Sequence, residues 1–198
     1  NIPLERNFTI AYDTNVPVRV GLAGSSAIVT ATMRALMTFF GVEIAKPVLP
    51  GLILSVELEE LSIGAGLQDR VIQVYEGVVF MDFDKQRMAR DGHGGYEPLD
   101  PALLPPLYVA YHDNLAEGTE LTHNDLRSRF NREEKAVLDA IQQWAAWAEE
   151  SRDLISAGRG AEIGPLMNQA FDLRASLINI SPGNLELIQR GRKLGACT

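Results

Sequence analysis

The chain has 198 residues, 46% of them hydrophobic and 22% charged, an ordinary globular composition with length enough for one large or two small cores. Its net charge of −8 and pI near 4.9 argue against a nucleic-acid partner, because phosphate backbones are bound by clustered Lys and Arg. They leave room for a small phosphorylated ligand whose charge is met by backbone amides and Mg²⁺.

No apolar run approaches the roughly 18 residues of a membrane span, and no signal peptide is expected. Cys197 stands alone, so no disulfide can close within the chain. A reducing, cytoplasmic setting without membrane contact is the expectation.

In chain order, residues 8–12 and 16–20 are rich in β-formers and separated by the turn cluster Asp13-Thr14-Asn15, which predicts two strands. A small-residue loop follows. Gly21, Ala23 and Gly24 allow a sharp turn and close approach of a ligand, and Ser25 and Ser26 fall where a helix begins with unpaired N–H groups. Those donors and the positive end of the helix dipole favour an anion; the alternative is a serine-capped turn without a ligand. Ile28, Val29, Thr32, Leu36 and Phe39 recur at helical spacing up to Gly41, which predicts a helix over 25–40.

Pro47 and Pro50-Gly51 punctuate, and residues 52–60 then read as helix, with Glu57 and Glu60 beside Ile53 and Val56. A second glycine stretch, Gly64-Ala65-Gly66-Leu67-Gln68-Asp69, places Asp69 after a turn at the head of another helix. Residues 78–82 and 107–111 read as strands, separated by the glycine-rich stretch 91–96 and a proline-rich stretch ending at Pro105-Pro106. A domain boundary is expected there, dividing the chain into 1–103 and 104–198. Beyond it the pattern is helical over 123–130, 133–156, 163–177 and 183–194. Val137, Ile141, Trp144, Ala145 and Ala148 share one face, which places the tryptophans in a core.

The loop is not a Walker A motif, since no Lys precedes a Ser or Thr after Gly24, and it lacks the Gly-x-Gly-x-x-Gly spacing of dinucleotide folds. His112, Asp113, His123 and Asp125 match no compact zinc pattern, and no Gly-x-Ser-x-Gly elbow occurs. His93, in its glycine-rich loop, is either a substrate contact or a loop residue.

Pro17-Val18-Arg19-Val20-Gly21-Leu22-Ala23-Gly24-Ser25-Ser26-Ala27 resembles the phosphate-binding motif of the GHMP kinases, Pro-x-x-x-Gly-Leu-Gly-Ser-Ser-Ala, with one additional small residue before the serines. Gly66-Leu67-Gln68-Asp69 matches that superfamily's downstream Gly-x-x-Asp. The wider stretches 65–82, 104–108 and 166–174 look like the glucuronokinase branch.

The resemblance implies an α+β, two-lobed fold with an N-terminal α/β lobe and a helix-rich, ferredoxin-like C-terminal lobe, incomplete here. It implies ATP and Mg²⁺ as cofactors and a sugar acid, glucuronate, as phosphoryl acceptor at its anomeric hydroxyl. Phosphoryl transfer asks a protein chiefly for positioning and charge neutralisation. The amides from Gly21 through Leu22, Ala23, Gly24, Ser25 and Ser26 to Ala27 would hold the phosphates. Ser26, with Ser25 as substitute, and Glu57, with Glu60 as substitute, would reach the metal. Asp69 would be the catalytic carboxylate, and Arg70, Asp172 and Arg174 would bind the sugar acid.

The superfamily's N-terminal substrate motif and its late Gly-Ser-Gly-Gly-Ala motif do not occur in these residues, so a fragment is the expectation. Another sugar or heptose phosphate as substrate, or a nucleotide-binding remnant without turnover, stand as the alternatives, and a monomer or homodimer as the assembly.

Overall fold

Gly41 ends the first helix because it can adopt the left-handed conformation that closes a helix without a Cβ penalty. In the computed structural model its φ is 63°, and its amide donates to Met37 O and Thr38 O. The structure describes residues 6–17, 20–111 and 119–198, with side chains from 125 onward in the last stretch. Val18, Arg19, His112, Asp113 and the side chain of His123 lie outside the described residues.

Helix α1 spans Gly24–Phe40, α2 Leu49–Ser55 and α3 Leu67–Tyr75. Pro50, expected to punctuate, instead lies in the first turn of α2, where its missing N–H has no helical partner to lose. From Val56–Glu60 the same helix widens into a π-helical turn. Leu49 and Ile53 of α2 and Val74 of α3 form a buried cluster, against which Val29, Met33 and Met37 of α1 pack together with Ile44 and Tyr75.

Strand β1 (Val78–Asp82) pairs antiparallel with β2 (Gly95–Leu99), Val78 opposite Leu99 and Asp82 opposite Gly95. Between them α4 (Lys85–Asp91) is capped by Asp84, whose carboxylate accepts from Arg87 N at 2.8 Å. The sequence pattern missed both α4 and β2. The glycines that looked like a loop serve close approach: a Cβ on Gly94 would stand 2.6 Å from Asp82 O.

The strands expected at 8–12, 16–20 and 107–111 are absent among the described residues. Phe8, Ile10 and Tyr12 are exposed, and Tyr108 is 92% exposed. A β-rich segment forms a strand only where a neighbour pairs its amides, and the described sheet has two strands.

The described elements after the sheet are all helical. A 3₁₀ turn at Pro101–Leu103 leads to α5 (Thr119–Asn131), α6 (Lys135–Ser156), a second 3₁₀ turn (Gly160–Ile163), α7 (Gly164–Leu177) and α8 (Pro182–Lys193). The chain is therefore α+β, rich in helix with a small antiparallel sheet. Arg129 clamps α5 to its successors, donating to Glu134 and, at 2.6 Å, to Leu177 O; its hydrogen bonds hold the Glu134 carboxyl below the usual carboxylate range.

On α6 the buried stripe is Val137, Ala140 and Ile155. Ile141, Ala145 and Ala148 of the expected face are exposed, since α5 and α7 cover only part of this long helix. Trp144 is half-buried and spends its indole N–H on Ala170 O of α7, at 3.2 Å. The helical half also touches the sheet, with the Arg152 guanidinium 4.7 Å from the Phe80 ring centroid.

The backbone at Gly160 comes very close to the 3₁₀ turn at Pro101–Leu103, so that a Cβ would lie 2.0 Å from Leu103 O. Backbone cannot yield cheaply, so Gly160→Ala should destabilise by about 1–3 kcal/mol. Gly51 in α2 faces open space, and Gly51→Ala should instead stabilise by about 0.5–1 kcal/mol. Thermal and urea unfolding of the two variants check both signs.

Candidate functional site

The turn into α1 is built by two positive-φ residues, Gly21 at 80° and Ala23 at 53°. Ala23 is the additional small residue of the motif, and it takes the left-handed conformation at the N-cap position, where the alternative reading had a serine. A non-glycine there carries local strain, and such positions cluster at ligand sites. The Ala27 amide donates to Ala23 O at 3.1 Å. Ala27 is thus withdrawn from the expected set of phosphate donors, and the amides of Gly24, Ser25 and Ser26 have no backbone acceptor among the described residues. Gly21 is exposed and Leu22 half-buried at the mouth of the turn.

The two serines divide. Ser25 is exposed, whereas Ser26 is fully buried and its hydroxyl donates to Ala23 O at 2.9 Å. That bond uses the proton of Ser26 Oγ and leaves a lone pair. One turn further, Thr30 is 2% exposed and its Oγ1 has no hydrogen-bond partner.

Glu57 and Glu60, interchangeable by sequence, are distinguished by the helix. Glu57 follows Ile53 by four residues, stays on the buried face and is fully buried, while Glu60 is exposed. Its Oε2 accepts from Arg70 Nε, and its Oε1 has no partner. A buried carboxylate oxygen without a partner is costly, and π-helical turns are frequent at functional sites.

Asp69 lies in the first turn of α3, behind the N-cap residue Gly66, where the helix dipole favours a negative charge. Its side chain is 52% exposed. Arg70 next to it points inward, with its side chain 4% exposed. Beyond Glu57, Arg70 Nη1 donates to Gly66 O at 3.0 Å and lies 3.4 Å from Asp69 Oδ2. Arg70 was expected to receive the sugar carboxylate; its guanidinium is instead committed inside the protein, because a buried cation needs a partner.

Register shows how these residues relate. Ser26, Thr30, Met33 and Met37 share one face of α1, and Leu49, Ile53 and Glu57 share one face of α2 and its π turn. Met33 and Met37 pack on Leu49, Ile53 and Val74. The apolar end of the three-helix unit therefore continues into a polar end that gathers Ser26, Thr30, Glu57 and Arg70. These are four of the five buried polar residues among those described, the fifth being Ser181.

Asp172 and Arg174 are not brought to this cluster. They sit on α7, which packs on α6 and the second 3₁₀ turn. Asp172 is paired with Arg192 of α8 at 2.7 Å, and Arg174 is exposed. Arg192 also donates to Asn168 O and Thr198 Oγ1, a clasp that fastens the segment after α8 onto α7.

Glu57 Oε1 and Thr30 Oγ1, both buried without a partner, and Ser26 Oγ are all oxygens, the ligand type a hard cation such as Mg²⁺ takes. Among the described residues no three His, Cys, Asp or Glu gather as a metal site. A cation here would take its remaining ligands from water and from phosphate oxygens, as Mg²⁺ commonly does. Sequence reasoning missed Thr30; the signal was its i+4 spacing from Ser26. No helix among the described residues is long and apolar enough to cross a membrane.

Residues 2–77 match the GHMP kinases N terminal domain. The chain is 38% identical over 199 residues to Glucuronokinase 1 of Arabidopsis thaliana and 40% identical over 198 residues to Probable glucuronokinase 2 of the same plant. It is 24% identical over 197 residues to the mevalonate kinase of Thermococcus sibiricus. These matches cover 98%, 97% and 97% of the chain but 54%, 54% and 55% of the relatives, so the chain spans about half the length of the curated relatives it matches. No solved structure matches. Through the GHMP kinases N terminal domain match over residues 2–77 and the glucuronokinase similarity along almost its whole length, the chain is similar to the GHMP kinases.

Proposed function

We propose that the protein acts in an ATP-dependent phosphotransferase of the GHMP type, moving the γ-phosphoryl group to the anomeric hydroxyl of a sugar acid, glucuronate. The observation that carries this reading is the placement of Asp69 beside Arg70 and, through it, Glu57: a half-exposed carboxylate at a helix head backed by a buried one with a free oxygen.

In this reading the amides of Gly24, Ser25 and Ser26 hold the phosphates at the positive end of α1. Glu57 and Ser26 would hold Mg²⁺, which would supply charge neutralisation for the phosphates. Asp69 orients the sugar hydroxyl and takes its proton on a carboxylate oxygen as the hydroxyl oxygen bonds to the γ-phosphorus. The bond from that phosphorus to the bridging oxygen breaks, and ADP leaves with the electron pair. Asp69 is exposed enough to meet a substrate, while Glu57 is reached only from within the helix cluster. Asp172 and Arg174 would read the sugar acid only if α7 and α3 face a common substrate. The same reading treats 1–103 and 104–198 as the two lobes and places the protein in the cytoplasm, as a monomer or homodimer.

A second reading, the same chemistry on another small alcohol, is favoured by the mevalonate kinase similarity over these same residues. Shared residues then carry phosphoryl transfer and others select the acceptor.

Incubation with Mg-ATP and glucuronate should release ADP and yield a sugar 1-phosphate. Asp69→Ala should lower kcat by about 10²–10⁴-fold. Release of ADP with mevalonate or a neutral sugar but not glucuronate supports the second reading, and failure to bind nucleotide at all overturns both.

Stability separates the two carboxylates independently of activity. Glu57→Ala strands a buried Arg70 and should cost about 3–5 kcal/mol. Asp69→Ala, at a half-exposed position, should stay within about 0.5 kcal/mol of the parent. Urea unfolding followed by circular dichroism reads both.

A further inference from the structure

Arg70 makes three contacts with one guanidinium. Nε donates to Glu57 Oε2, Nη1 donates to Gly66 O at 3.0 Å, and the same Nη1 lies 3.4 Å from Asp69 Oδ2. Glu57 comes from the π turn, Gly66 from the loop before α3 and Asp69 from α3 itself. Its Nε and Nη1 are already taken by Glu57 and Gly66 O, so a substrate carboxylate would have to displace Glu57 to use this fork.

A planar fork with fixed donors sets angles as well as charge, which a flexible ammonium does not. With Oε2 and Gly66 O both anchored, Glu57 cannot rotate freely, and its unpartnered Oε1 is left in one orientation. Because the same group reaches Asp69, the distance between the two carboxylates is set by Arg70 rather than by either helix alone.

We propose that Arg70 is a positioning residue that fixes Glu57 relative to Asp69, so that the free Glu57 oxygen meets a nucleotide-bound divalent cation while Asp69 stays at the acceptor hydroxyl. This rests on the kinase reading above. It replaces the role of Arg70 as a sugar-acid reader with one directed at the cation.

The test is a double-mutant cycle with Mn²⁺ as the probe cation. Mn²⁺ binding in the presence of a non-hydrolysable ATP analogue is followed by water-proton relaxation, and kcat and KM for glucuronate are measured alongside. The variants are Arg70→Lys, which keeps the buried charge, Glu57→Gln, and Glu57→Gln with Arg70→Met, which removes both charges and avoids a stranded ion. Arg70→Lys should weaken Mn²⁺ binding by roughly tenfold and lower kcat with little change in the glucuronate KM. Adding Arg70→Met to Glu57→Gln should change Mn²⁺ affinity by less than about twofold, because Arg70 acts through Glu57.

Parental Mn²⁺ affinity in Arg70→Lys, or a rise in glucuronate KM alone, overturns the proposal and returns Arg70 to the sugar. A parent protein that binds the nucleotide analogue without Mn²⁺ also overturns it. A parent that binds neither overturns the kinase reading itself, which distinguishes the two failures.

Discussion

The buried pair between Glu57 and Arg70 is the constraint on which the N-terminal half depends. Each ion alone inside the protein would cost several kcal/mol, and together they are tolerated only because the geometry is close and Gly66 O takes a further donor. The pair ties the π turn to the start of α3. It thereby decides which carboxylate is inside and which is at the surface. A hydrophobic pair of similar volume could hold the helices equally well, so retaining two charges there points to a use for the leftover oxygen rather than to stability.

Local signals were legible in the sequence, and signals that depend on distant partners were not. α1 could be read because its periodicity and its stop at Gly41 lie within the segment itself. Asp69 at a helix head could be read for the same reason, the glycine turn and the helix being contiguous. The strands at 8–12 and 107–111 failed because β-propensity describes a residue that fits a paired, half-buried surface, and these segments have no such surface. β2 was hidden by the opposite cause: Gly94 just before it is dictated by approach to Asp82 O and Gly95 at its start by approach to the Arg87 guanidinium, so composition suggested a loop where close packing demanded no side chain.

Within the site, residue types were legible and their directions were not. Glu57 and Glu60 stand three apart on one helix, and only the course of the buried face separates them. Arg70 looked like a surface fork because arginines seldom lie inside; its neighbour Asp69 faces out, and consecutive helical residues point about 100° apart. Asp172 and Arg174, named through the resemblance, could not be placed by it, since their position relative to α3 is a matter of how helices far apart in the chain pack.

The course of the three helices explains how an acidic chain can offer a place to a triphosphate. α1 begins at the polar end of the unit, α2 runs toward that end and finishes there in the π turn, and α3 begins there. Two helix N-termini thus lie at one end, each with unpaired amides and a positive dipole end. Arg70 adds no net charge, being cancelled by Glu57. In the proposed function the attraction for phosphate would therefore come from backbone, not from basic side chains, and a net charge of −8 spread over the rest of the surface would not oppose it beyond about a Debye length. What the backbone cannot do is neutralise a triphosphate fully, and in the proposed function that shortfall is the physical reason a cation would be needed beside it.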